Sequence, residues 1–99
     1  MKLPKSFRVG TRRYKVEELP LSSKTSCIKG AVHYVDKTVD IGSRVNGRRM
    51  GKRERATVFW HEAIHAMLYD MGSHNLNNNE QFVENLAKRI TDVVYTARF

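Results

Sequence analysis

The sequence predicts an α+β domain: a small antiparallel or mixed sheet from the first half of the chain, then two long helices from the second. Three observations carry this. Short runs between Phe7 and Ile41 alternate apolar and polar residues, the period of a half-buried strand. From Ala56 onward the apolar residues recur in steps of three and one, the period of a helix with one broad buried face. The 99 residues make one domain, 1–99, with a modest core.

The first hairpin is expected from Phe7-Arg8-Val9 and Tyr14-Lys15-Val16, joined by a turn over Gly10 to Arg13. Pro20 closes it, and Leu21 to Lys29 reads as a loop. Gly30 to Tyr34 and Thr38 to Ile41 form a second pair around Asp36-Lys37, ended by Gly42. The first helix is expected from near Arg53 to Gly72. It buries Ala56, Phe59, Trp60, Ala63, Ile64, Met67, Leu68 and Met71, and Gly72 serves its C-terminus. The last helix runs from about Glu80 to Ala97. Its stripe is Phe82, Val83, Leu86, Ala87, Ile90, Val93, Val94 and Ala97.

Composition narrows the function classes. A hydrophobic content of 40% with 28% charged residues is that of an ordinary globular chain. No stretch is long and apolar enough for a membrane span, and the N-terminus carries no secretory signal. The single cysteine, Cys27, can build neither an internal disulfide nor a zinc-thiolate cluster and reads as a small packing residue. Together these features favour a reducing, cytoplasmic setting. The net charge of +8 favours an acidic partner.

The chemistry is concentrated in His61-Glu62-Ala63-Ile64-His65, an H-E-x-x-H pattern placed mid-helix. Histidines four apart project from one helix face, so both imidazoles reach one metal ion. Glu62 is turned about 100° from His61 on the wheel, which suits a base acting on water rather than a ligand. Zinc is the expected ion, and a catalytic zinc takes a third protein ligand while leaving one position open. His33 and His74 are open as that ligand, as are Glu80 and Glu84. Glu80 lies nearer the apolar stripe, at about 90° from its centre against about 130° for Glu84. Asn77-x-x-Glu80 also reads as a capping box, and Glu84 can pair with Lys88 four residues on.

HEAIHAML, with fourteen residues between His65 and Glu80, and then EQFVENLAKRI, resembles the ImmA/IrrE-like metallopeptidases and the short phage- and prophage-encoded zincins near them. FRVGTRRYKV and GAVHYVDKTVDIG resemble the hairpin and sheet of such minimal zincin-like domains. The resemblance implies a gluzincin-type hydrolase. It makes Glu80 the third ligand and Glu84 the partner that orients His61 or His65, with the two acids open to exchange.

The reading is therefore a zinc metallopeptidase acting on a peptide or protein, with Glu62 as general base. The substrate would lie along an edge strand, for which Thr38 to Ile41 is the candidate. Tyr34, His74 and Tyr95 are candidates to stabilise the oxyanion. The competing class is a non-catalytic, zinc-braced module that binds nucleic acid or an acidic protein. Its case rests on the basic stretch Ser43 to Arg55, where Arg48, Arg49, Lys52 and Arg53 would meet the partner. Asn46-Gly47 and Gly51 make that stretch read as a turn-rich, mobile loop at one end of the cleft. The plain alternative is a solvated loop.

Overall fold

A computed structural model describes residues 1–19, 29–45 and 48–99. The fold is α+β, as the periodicities require. Four strands, β1 (Ser6–Val9), β2 (Arg12–Leu19), β3 (Gly30–His33) and β4 (Thr38–Gly42), form one sheet in the order β1-β2-β4-β3. β1 and β2 are an antiparallel hairpin, β2 and β4 run parallel, and β3 returns antiparallel to β4, so the sheet is mixed. The expected loop from Leu21, with Pro20 and Cys27, falls on 20–28, outside the described residues.

This order corrects one expectation. β4 lies inside the sheet, between β2 and β3, and its backbone is already paired on both sides. Among the described residues the free edge beside the helices is β3. Alternation alone cannot rank strands across a sheet. Both β3 and β4 have it, and the parallel β2–β4 pairing is made by residues remote in sequence.

Helix α1 (Lys52–Asp70) crosses one face of the sheet. Val39 and Ile41 of β4 and Tyr14 of β2 are almost wholly enclosed beneath it, against Phe59, Ala63 and Ala66. Enclosing a side chain of this size contributes about 1.5–3 kcal/mol. Phe7 stacks on Tyr14 and meets Phe59 edge to face, with centroids 5.4 Å apart in each pair. Met71 caps α1, and Gly72 follows at φ 70°, where an L side chain would be strained.

The one-turn helix α2 (His74–Asn77) then leads into α3 (Glu80–Thr96). The cap of α3 is Asn79, whose side chain accepts from the Phe82 amide, so the expected capping box on Asn77 does not form. The opposite flank of α1 meets α3 through Ile64, Leu68, Val83 and Ala87. Because α1 is covered by the sheet on one side and α3 on another, its buried set is wider than the expected stripe. It takes in Val58, Glu62, His65 and Ala66, while Met71 at the C-terminal cap is exposed.

On α3 the opposite happens. Only Val83, Ala87 and Thr91 are buried, and Phe82, Leu86, Val93, Val94 and Ala97 of the expected stripe face solvent. The packed line sits about 70° round the helix from the centre of the apolar stripe. That rotation brings the acidic flank of α3 toward α1.

The basic stretch is more ordered than expected. β5 (Arg44–Val45) and β6 (Arg48–Arg49) pair antiparallel, and the Met50 amide donates to the Ser43 carbonyl at 2.9 Å. Residues 46 and 47 lie outside the described set. No described helix is long and apolar enough to cross a membrane.

Candidate metal centre

His61 and His65 stand one turn apart on α1, at the seam with α3. Glu84 of α3 lies 2.8 Å from His61 Nδ1, and the Asn77 side-chain oxygen lies 2.5 Å from His65 Nδ1. Both partners are acceptors when Asn77 turns its amide nitrogen to the Tyr34 hydroxyl, 3.2 Å away. Each Nδ1 is thus placed to donate, and the tautomer protonated there leaves a lone pair on Nε2.

Those two Nε2 atoms face each other at 3.2 Å. The Glu80 carboxylate closes the triangle, with Oε2 3.0 Å from His61 Nε2 and Oε1 3.1 Å from His65 Nε2. In that tautomer three acceptors converge, a donor set that a cation would satisfy. The separations match a metal. Two ligands about 2.0–2.1 Å from a tetrahedral ion stand about 3.3 Å apart. His61, His65 and Glu80 are thus close enough to hold one ion, their ligand atoms all lying within 4.8 Å of one another.

Glu80 and Glu84 occupy different places. Glu80 is the more exposed and meets both Nε2 atoms, whereas Glu84 touches the far nitrogen of His61. Glu84 makes no ion pair with Lys88 among the described residues, so the i,i+4 pairing weighed for it is not formed. Of the histidines considered as third ligand, His33 is turned to Asp40 at 2.8 Å, and His74 is not among the clustered groups.

Glu62 is buried beside the histidines, and its Oε2 is enclosed with no hydrogen-bond partner among the described residues. Burial pushes its carboxyl above the usual carboxylate range; the neighbouring histidines pull it down, and Glu80 and Glu84 push it up. A carboxylate raised in this way is a better proton acceptor near neutral pH.

A cleft of about 860 Å³ opens over these groups, walled by Gly30 and Ala31 of β3 on one side and by α3 on the other. Gly30 is required there. A Cβ would come within 2.7 Å of Val58 Cγ1 and 2.9 Å of the Asp40 carbonyl oxygen. The bare backbone lets β3 sit close over Glu62.

Sequence reasoning missed Asn77. It had a bland role as a cap, and no periodic signal ties a residue of a one-turn helix to a histidine twelve positions earlier. Of the oxyanion candidates, Tyr34 lies on the Asn77 side of the cluster, stacked on Tyr69 with centroids 4.1 Å apart. Burial is the main cause that raises its phenol, and Glu62 and Glu80 add to the rise. Tyr95 lies elsewhere on α3, under the Arg53 guanidinium.

The four basic residues divide in two. Arg48 holds Glu54 through two bonds of 3.2 and 3.1 Å, and Arg53 pairs with Asp92 at 2.5 Å. Arg49 and Lys52 are exposed and, among the described residues, have no carboxylate within ion-pair distance. Glu54 lines the cleft, so the β5–β6 hairpin is fastened to one end of it.

No protein-family model, no curated protein and no solved structure matches this chain.

Proposed function

We propose that the chain is a zinc-dependent metallopeptidase, a hydrolase of the kind seen in the ImmA/IrrE-like zincins that its motif resembles. The observation that carries this reading is the meeting of three lone-pair donors, His61 Nε2, His65 Nε2 and the Glu80 carboxylate, beside the unpartnered oxygen of Glu62. Two imidazoles and one carboxylate are a donor set that suits zinc. Zinc bound there supplies Lewis-acid polarisation of a peptide carbonyl and lowers the pKa of water.

The remaining work falls to the chain's own groups. Glu62 takes a proton from the attacking water and hands it to the departing amine. Glu84 and Asn77 keep the two imidazoles in the tautomer that aims Nε2 at the ion. The free edge of β3 offers main-chain groups to an extended peptide, holding it in register across the cleft. Of the groups considered for the oxyanion, Tyr34 is the one tied to the cluster, its hydroxyl accepting from the Asn77 amide.

Glu62→Gln tests this against a purely structural zinc. The substitution keeps shape and removes the base. Zinc content by elemental analysis should stay at one per chain, while hydrolysis of a peptide library falls by at least about a hundredfold, the lower end for loss of a general base. Equal cleavage by both proteins refutes the role of Glu62. Stoichiometric zinc with no cleavage by the wild type favours the braced module. Absence of zinc, even after its addition, removes both readings.

A further inference from the structure

A second cavity, of about 570 Å³, lies at the start of α1, between that helix, β2 and the N-terminal segment. Lys2, Lys5, Lys52 and Arg55 line it, and the one acid in its wall is Glu18. Glu18 is already taken by Arg55 Nη1 at 3.1 Å. Among the described residues no carboxylate lies within ion-pair distance of Lys2, Lys5 or Lys52. Arg55 Nε is buried and, among the described residues, donates to nothing, which is costly for a charged donor.

The adjoining hairpin has the same character. Arg44 and Arg49 are directly opposite each other across β5 and β6, both exposed. Like charges in facing positions of a strand pair repel. Glu54, the nearest acid in the stretch, is occupied by Arg48 and by Lys29, 3.5 Å away. From Arg44 through Arg49 and Lys52 to the groove's Lys2 and Lys5, the chain thus presents successive cations that, among the described residues, lack anions. A single phosphate would satisfy only part of this run, whereas a polymer with regularly spaced phosphates satisfies all of it.

We propose that this groove and the facing arginines of the hairpin bind the phosphodiester backbone of a nucleic acid. Contact is made through Lys2, Lys5, Lys52, Arg44 and Arg49, with Arg55 held against Glu18 in the groove wall. The surface is separate from the metal cluster and needs no metal. Arg48 and Arg53, expected from sequence to share in such binding, are instead spent on Glu54 and Asp92.

The test is fluorescence anisotropy of labelled single-stranded and duplex DNA and RNA with the full chain, over a series of salt concentrations. Binding should appear at low salt and weaken linearly on a logarithmic plot, because each neutralised phosphate releases counterions. The triple change Lys2→Ser, Lys5→Ser, Lys52→Ser should lower the salt slope by about two to three, near one per lost contact. Arg8→Ser, Arg13→Ser, Lys15→Ser removes the same charge from exposed positions on the sheet's other face and should leave the slope unchanged. Lys52→Glu alone, which spares the N-terminal segment, should weaken binding in the same direction. Circular dichroism and zinc content should be unaltered in all of them. Absence of binding at low salt overturns the proposal. So does equal loss in the sheet-face variant, which would mean net charge alone, or equal binding of polyglutamate, which would mean an acidic protein partner.

Discussion

Which nitrogen carries the proton decides what His61 and His65 can do. An imidazole whose Nδ1 donates to a carboxylate or amide oxygen is fixed in orientation and made more basic at Nε2. Glu84 does this for His61 and Asn77 for His65. The two supports differ: Glu84 brings a charge, whereas Asn77 is neutral and is itself held by Tyr34. Loss of a ligand removes a bond to the ion; loss of a support leaves the bond and loosens it. Glu80→Ala should therefore weaken zinc binding most. Glu84→Ala and Asn77→Ala should each cost about 10–100-fold. Competition with a chromogenic chelator measures this order. If Glu84→Ala is the most damaging, the two acids exchange roles.

At the scale of the element, α3 departs most from its own sequence. Its apolar stripe, taken alone, would turn Glu80 and Glu84 about 90° and 130° away from the packed face. Packed on Val83, Ala87 and Thr91 instead, the helix brings Glu80 to within about 20° of the packed line and Glu84 to within about 60°. The cost is exposure of Phe82, Leu86, Val93 and Val94. The H-E-x-x-H pair is legible in sequence because a spacing of four is a property of one helix. The hairpin of β1 and β2 is legible because its partners are adjacent in the chain. The rotation of α3, the interior place of β4 and the bond from Asn77 to His65 all depend on contacts between remote segments, where local periodicity carries no information. The rotation can be tested through stability. Val83 is fully enclosed and Val93 is mostly exposed. Val83→Ala should destabilise the metal-free protein by about 2 kcal/mol, through lost burial and a residual cavity. Val93→Ala should change it by less than about 0.5 kcal/mol. Urea unfolding followed by circular dichroism compares them, and equal effects would mean that α3 packs on its apolar stripe.

Over the whole molecule, a net charge of +8 makes each acid that ties two parts together count, and Glu54 is one of these. It sits on the first turn of α1, lines the cleft, and fastens the β5–β6 hairpin through Arg48 and the start of β3 through Lys29. The hydrogen bonds from Arg48 are the largest influence and hold its carboxyl below the usual range, against an opposing push from partial burial. A carboxyl whose pKa is lower folded than unfolded binds its proton less readily when folded. Its stabilising effect is complete above the ordinary carboxylate pKa and is lost as pH falls through the lowered folded value. Glu54→Gln keeps the shape and removes the titration. The variant should melt a few degrees below the wild type at neutral pH, and the gap should close on acidification through the carboxylate range. Added salt should narrow the gap at neutral pH as well, since the Arg48 partner is largely exposed and readily screened. Thermal melts of both proteins at neutral and acid pH, in metal-free buffer, make the comparison. A gap that stays constant across that range would show that Glu54 acts through packing, and that the hairpin is held to the cleft by something other than this charge.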